Sequence, residues 1–173
     1  YRLTIFDNLP RTGLPAEFQS YAEYQRHIQI LINAGVMEDS TKIWWDLRPS
    51  AKYPTLETRI MDVCTRMDDA ISLAALLVST IRMLYRLRIK NQRWREYNPM
   101  LIRENRWRAM RYSFDEGLID FGIGTIVPFE QLLDEFIELT FEDAKSLGCE
   151  SEVAATKDIL SRGTSAHRQL KTY

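Results

Sequence analysis

Lys42-Ile-Trp-Trp-Asp-Leu-Arg-Pro-Ser50 and, after Ala51–Pro54, Thr55-Leu-Glu-Thr-Arg59 decide how this chain is read. From Thr41 to Leu47, Ile43, Trp45 and Leu47 alternate with Lys42, Trp44 and Asp46, the period-two pattern of a strand. Arg48 to Pro54 reads as a proline-bounded loop, and Thr55 to Val63 as a second strand. The second strand carries Glu57 and Arg59 on one face, roughly 7 Å apart along the chain. If the two strands pair, Asp46, Arg48, Glu57 and Arg59 line one wall. So many ionisable groups are costly when sealed inside, so the wall is expected to be open to an ionic ligand or to water. A carboxylate beside a guanidinium is either a structural ion pair or a split device. In the second case the carboxylate holds Mg²⁺ and the arginine a phosphate oxygen. The spacing alone leaves both readings open. Lys52, in the connecting loop, is placed either to reach a phosphate or simply to be solvated.

Around this centre the chain is mostly helical. Tyr1–Phe6 has strand-favouring residues, and Asp7–Pro15 is a loop rich in Pro and Gly. A helix is expected from near Pro15, with Phe18, Tyr21, Ile28, Leu31 and Ile32 at helical spacing and a stop at Asn33-Ala34-Gly35. Thr65-Arg66-Met67-Asp68 resembles a capping box and opens a long helix to about Arg95, with Ile71, Ala74, Val78, Ile81 and Tyr85 as its apolar stripe. Asn98-Pro99 starts another helix, which ends before Gly117. Gly117–Gly124 is a loop or short extended piece. Pro128 begins a helix with Leu132, Leu133, Phe136 and Ile137 facing inward, up to Gly148. Cys149–Arg162 makes a shorter helix, and a last turn or two follows Thr164. Strands early and helices late favour an α+β fold over an alternating α/β one.

At 173 residues the chain is one domain or a large piece of one. A formal net charge of −1 excludes a strongly basic nucleic-acid binder and an acidic disordered chain. The longest apolar run, Ala70–Ile81, falls short of a membrane span of about 20 residues. No signal-peptide pattern opens the sequence, and Cys64 and Cys149 have no metal-binding or redox spacing, so two reduced thiols in a cytoplasmic protein are expected. The chain opens on Tyr1 with what reads as an isolated strand, so an upstream portion is expected. His27 and His167 lack companions at ligand spacing. There is no Walker loop, GxGxxG or GxSxG motif. Charge is segregated: Arg82–Arg111 holds ten basic and two acidic residues, and Asp115–Asp158 twelve acidic and two basic. Arg82, Arg86, Arg93, Arg103, Arg106 and Arg108 could form a polyanion-binding stripe, with Trp94 and Trp107 as stacking surfaces. The simpler reading is two helical surfaces facing each other, within one chain or across a dimer.

Leu9-Pro-Arg-Thr-Gly-Leu-Pro-Ala-Glu-Phe18, Lys42–Ser50, Pro54-Thr-Leu-Glu-Thr-Arg-Ile-Met-Asp-Val-Cys64, Glu104-Asn-Arg-Trp-Arg-Ala-Met-Arg111 and Arg162-Gly-Thr-Ser-Ala-His-Arg-Gln169 follow one another along nearly the whole chain. Together they resemble the C-terminal half of the glutamate–cysteine ligase type 2 family, the bacterial carboxylate–amine ligases. The resemblance implies part of a glutamine-synthetase-like catalytic domain, a curved antiparallel sheet with helices on its outer side, helix-rich in this portion. It implies an ATP- and Mg²⁺-dependent ligase that activates a carboxylate as an acyl phosphate for attack by an amine, of the kind that begins glutathione biosynthesis. In that reading Glu57 is a Mg²⁺ ligand, Arg59 contacts the transferring phosphate, and Arg48 and Lys52 bind nucleotide or substrate. Asn105, Arg111, Thr164, Arg168 and Gln169 match family motifs without a role that can be derived. The family's further acidic metal ligands lie in its N-terminal half, so this polypeptide alone is expected to be inactive. Expected partners are glutamate or a similar carboxylate, cysteine or another amine, the remaining half of the domain and a second copy, with no membrane. The competing reading is a non-catalytic module that binds an acidic partner or RNA through the Arg82–Arg111 helices.

Overall fold

The computed structural model describes residues 2–172. They fall into two compact units, one ending at Asp62 and the other beginning at Val63. The architecture is α+β and helix-rich: among the described residues, eight α-helices accompany six short strands paired as three two-stranded sheets.

In the first unit, Arg2–Phe6 is a helix, α1, where the sequence predicts a strand over Tyr1–Phe6; Tyr1 lies outside the described residues. Tertiary contact overrides strand propensity here. The Arg2 guanidinium lies over the Phe6 ring and donates to the Arg59 carbonyl at 2.5 Å. β1 (Thr12–Gly13) pairs in parallel with β2 (Trp44–Trp45). α2 (Tyr21–Asn33) starts later than Pro15 suggests because Ser20 is the better cap. Its hydroxyl accepts from the Glu23 N–H, and the Glu23 carboxylate accepts from the Gln19 N–H. Tyr24 and Ile28 of α2 pack with Met37 and Ile43, and Phe18, Leu31, Ile32 and Trp45 close around them. The strand expected over Thr41–Leu47 is interrupted. Ser40–Lys42 forms a 3₁₀ turn capped by Asp39, then β2 follows, then β3 (Leu47–Pro49). β3 pairs antiparallel with β4 (Leu56–Thr58), in the register Leu47↔Thr58, Arg48↔Glu57, Pro49↔Leu56. Arg48 thus sits in a strand rather than in the loop, and the second strand ends well short of Val63.

In the second unit, α3 (Met67–Ile89) has Arg66 as its N-cap, without a side-chain cap bond. The capping box expected at Thr65 does not form. The Thr65 hydroxyl is instead within 2.8 Å of the Ser165 hydroxyl and accepts from Arg168 at 2.5 Å. The helix stops before Asn91, which has φ +54°, rather than running to Arg95. α4 (Pro99–Tyr112) begins as expected, the Asn98 side chain accepting from the Met100 N–H at 2.9 Å. Beyond it, Leu118–Asp120 (β5), within the stretch expected to be a loop or short extended piece, pairs with Thr125–Val127 (β6) as a hairpin. The Asn105 side chain anchors that hairpin, donating to the Ile119 carbonyl and accepting from its N–H, both at 2.8 Å. At Gly117, φ is +66°, and an added Cβ would lie 2.3 Å from the Val127 carbonyl oxygen. α5 (Phe129–Leu147) ends on left-handed Gly148, as expected. The helix expected over Cys149–Arg162 is two, α6 (Glu150–Ala154) and α7 (Lys157–Arg162); between them the buried Thr156 hydroxyl bonds back to the Val153 carbonyl. α8 (Ser165–Leu170) follows.

α3 packs against α5 and α6, but not through the expected stripe. Its buried positions are Asp69, Ser72, Ser79 and Met83, facing a helix whose own buried positions include Thr140, Asp143 and Ala144, while Ile71, Val78 and Tyr85 are exposed. Small side chains let two helix axes approach closely, and bulky ones are left outside. α3 also carries a window of mean hydropathy 1.5, long and apolar enough to cross a membrane by length and composition. That window extends past Ile81, where the longest uncharged run ends. Asp143 has 1% of its surface exposed and is held by Arg86 through Nε (3.1 Å) and Nη2 (2.8 Å), with Arg82 at 3.7 Å. Two of the arginines in the basic stretch therefore answer an acid within the chain.

Asp143→Ala removes the charged hydrogen bonds that Arg86 makes, while the part-exposed guanidinium keeps Glu142 at 3.5 Å and water, so the unfolding free energy should fall by about 2 kcal/mol. Arg103→Ala, at an exposed position of α4, should change it by less than about 0.5 kcal/mol. Urea unfolding of the two variants measures the difference.

Candidate functional site

The β3–β4 hairpin brings three of the ionisable groups into one cluster. Arg48 and Glu57 are cross-strand partners, so their side chains leave the sheet on the same face. The Arg48 guanidinium donates from Nη2 to Glu57 Oε2 at 2.8 Å and from Nη1 to the Ser40 carbonyl at 2.5 Å. Arg59 donates to the other oxygen, Glu57 Oε1. The Arg59 backbone N–H donates to the Asp46 carbonyl at 2.7 Å, which extends the strand pairing past Thr58. One carboxylate is therefore clamped by two guanidinium groups, one on each oxygen.

Burial divides the cluster. The Arg48 side chain is 6% exposed and Asp46 is buried, whereas Arg59 and Glu57 keep 26% and 40% of their side-chain surface. The wall is thus sealed at Arg48 and open at Glu57 and Arg59. Partial burial pushes the Glu57 carboxyl upward, but hydrogen bonds and charge from Arg48, and then from Arg59, outweigh it and hold the group below its ordinary 4.5. Glu57 is therefore an anion at neutral pH, with its exposed side beside the more accessible guanidinium. Lys52 stays on the exposed turn, its backbone N–H directed at the Ser50 hydroxyl at 3.3 Å.

Among the described residues, no three His, Cys, Asp or Glu side chains come together as a metal site. Mg²⁺ wants six oxygen ligands, and Glu57 alone does not make a centre for it. His27 is occupied by the Glu23 carbonyl at 2.8 Å. The His167 ring stacks on Phe114, with Nδ1 facing Thr164 and Nε2 facing Asp115.

On the apolar side of the same hairpin lies a cavity of about 290 Å³. Phe18, Tyr21, Tyr24 and Trp45 supply rings to it, and Leu47 and Leu56 supply aliphatic surface. Arg48 borders both sides, since it also lines this cavity. Trp45 is a packing residue against the α2 core, and Trp44 meets Phe6 edge-on at 6.5 Å.

Several supporting contacts left no mark in the sequence pattern. The Ser40 carbonyl that accepts from Arg48 opens a 3₁₀ turn whose other residues, Thr41 and Lys42, read as strand. Thr164 caps α8 in a box whose N3 residue is His167 in place of the usual Glu or Gln. Arg162 donates to buried Asp69 at 2.7 Å, and Arg168 to Thr65, so the last motif is tied to the start of α3.

Comparison with known proteins places the chain in a family. The family model described as glutamate-cysteine ligase family 2 matches residues 1–173. A protein of Rhodospirillum rubrum with the provisional name glutamate–cysteine ligase 2 is 59% identical over the whole chain, which covers 44% of its own length. A protein of Jannaschia sp. with the same name is 58% identical, with 46% of its length covered. One from Sorangium cellulosum is 44% identical over 172 residues, again 46% of its length. The chain thus spans less than half the length of these relatives. It belongs to the glutamate–cysteine ligase family 2.

Proposed function

We propose that the complete protein is an ATP-dependent carboxylate–amine ligase, joining glutamate or a similar carboxylate to cysteine or another amine. The observation that carries the reading is the ionised Glu57 carboxylate held between Arg48 and Arg59, with its open side next to the Arg59 guanidinium. Family membership narrows the ionic ligand to those of a ligase.

Phosphoryl transfer depends on positioning and on neutralising charge that spreads over the transferred group. Arg59 is the group in this hairpin suited to that task, because it is both charged and partly exposed. Arg48 is buried and doubly engaged, so it fixes Glu57 and is less suited to following a moving phosphate. Lys52, on the exposed turn, is placed to meet the nucleotide's outer charge. In the proposed sequence the donor carboxylate attacks the γ-phosphorus, and ADP leaves with the bridging oxygen. The amine nitrogen then attacks the acyl carbon, phosphate departs, and the nitrogen loses its proton. Mg²⁺ would neutralise phosphate charge. Glu57 enters that proposal as one donor, with the others supplied by the part of the relatives' length that this chain does not span. A cytoplasmic setting, a role at the start of glutathione synthesis and a second copy as partner belong to the same proposal.

The test uses the complete gene product with Mg-ATP, glutamate and a panel of amines including cysteine. Amine-dependent ADP release should fall at least about 100-fold in Glu57→Gln, and circular dichroism should show a folded variant. Equal release by both proteins would remove Glu57 from the site. Salt-sensitive binding of RNA without ADP release would favour the arginine-rich helices instead.

Glu57 also sets a pH dependence. Its folded pKa is depressed, so the stability it contributes is fully present above its unfolded value, near 4.5, and is lost as pH falls through the folded value. The stability difference between wild type and Glu57→Gln should be flat from pH 7 to about 5 and should shrink below about 4.5. Urea unfolding across that range measures it.

A further inference from the structure

α3 has two faces that can pack, and the second unit covers one of them. Asp69, Ser72, Ser79 and Met83 are buried on the side where α5 and α6 lie. Nearly opposite them on the helix, Met67, Ile71, Ala74, Val78, Ile81 and Tyr85 are exposed, Val78 keeping 49% of its surface and Tyr85 65%. Their spacing alternates between four and three residues without a break, and Arg88 closes the repeat with a charge. That is the heptad pattern of a helix–helix seam, with β-branched Ile71 and Val78 at one core position. A continuous apolar strip of this kind marks an interaction surface, unlike single hydrophobic residues scattered over a protein. The strip also describes its own partner. Its first half is thin, with Ala70 and Ala74, and its second half is bulky, with Ile81, Leu84 and Tyr85. Asp68 lies in its first turn, reached by Arg66 at 3.2 Å and still largely exposed, and Arg88 lies in its last turn. Bulk and charge both find their complement when the same helix lies against it in the reverse direction. A lipid surface would answer neither the taper nor the charged ends.

We propose that α3 packs antiparallel against α3 of a second copy, about a two-fold axis near Val78. Tyr85 of one copy then lies over Ala74 of the other, Val78 meets Ile81, and Asp68 approaches Arg88. Each contact occurs twice, as an isologous interface requires. A seam of alternating fours and threes gives a shallow crossing of about 20°. The antiparallel direction also sets the positive end of each helix dipole beside the negative end of the other. Ser72 and Ser79 keep α3 close to its neighbours in the chain, so one helix serves both contacts. Glu57 and Arg59 play no part, so the proposal stands apart from the ligase reading.

The experiment uses the complete protein, with sedimentation velocity for mass and a short bismaleimide crosslinker for geometry. Wild type, with Cys64 and Cys149, sets the crosslinking background. It should sediment as a dimer, and Val78→Cys, close to the axis, should be joined to its partner copy. Met67→Cys should not be joined to itself, because the two positions lie about 35 Å apart along the seam. Met67→Cys co-expressed with Ile89→Cys should be joined. Asp68→Arg should weaken the dimer at least about tenfold, and adding Arg88→Asp should restore it, a rescue that damage to folding would not produce. A wild-type monomer would overturn the proposal. So would a dimer that Val78→Cys does not crosslink, whether another part of the polypeptide covers α3 or the copies meet elsewhere. A monomer that sediments with phosphatidylcholine vesicles would assign the strip to a membrane and overturn it too. ADP release, read alongside, keeps the two readings separate. A dimer joined through Val78 that consumes no ATP sinks the ligase alone, and a monomer that ligates sinks the seam alone.

Discussion

The Arg48 guanidinium is buried, and a buried cation has to be matched. Its match is Glu57, directly across the β3–β4 hairpin, together with the Ser40 carbonyl at the start of the 3₁₀ turn. The arrangement constrains the first unit around it. The register cannot slip by a residue, because a slip would turn Glu57 to the opposite face and strand the guanidinium. The 3₁₀ turn must present its carbonyl, which fixes how the chain passes from the α2 core into β2. Arg59 then falls on the same carboxylate, but nearer the surface. The buried Arg48 pair and the proposed phosphate contact, Arg59, thus share one anion, and burial is what distinguishes the two arginines.

The second unit depends on a similar economy at a different place. Asp143 is sealed between α5 and α3, and Arg86 and Arg82 answer it. The charge segregation that looks like a polyanion stripe in the sequence is in part an internal pairing. It does not account for Arg103 or Trp107, both of which remain exposed on α4.

That Glu57 and Arg59 share a face was legible from a period of two, whereas Arg48 faces Glu57 only because the strands pair and Arg48 lies in one of them. Pro99 and Gly148 were legible because their backbone preferences are local. The split into a sealed and an open half was not legible, because it depends on how α2 and the 3₁₀ turn cover Arg48. The stripe on α3 misled for a related reason. Periodicity marks a face but not which face is covered, and a seam of Ser72, Ser79, Thr140 and Ala144 wins where close approach of two helices outweighs the burial of Ile71 or Val78. An extended piece after Gly117 was one of two readings, but its pairing with Thr125–Val127 was not legible, because Asn105, distant in sequence, anchors it. Family resemblance supplied what spacing left open at Glu57 and Arg59, namely which ionic ligand to expect.

The central claim is that the Glu57–Arg59 corner serves phosphoryl transfer to a carboxylate. Positional isotope exchange in the complete protein tests it most directly, using ATP labelled with ¹⁸O at the β,γ-bridge and glutamate but no amine. Reversible acyl-phosphate formation should scramble the label into the β-phosphate's non-bridging positions only when glutamate is present, and Arg59→Lys should slow the scrambling by at least about 100-fold. Scrambling at the wild-type rate in Arg59→Lys, or none at all in a protein that ligates glutamate when amine is added, would contradict the account.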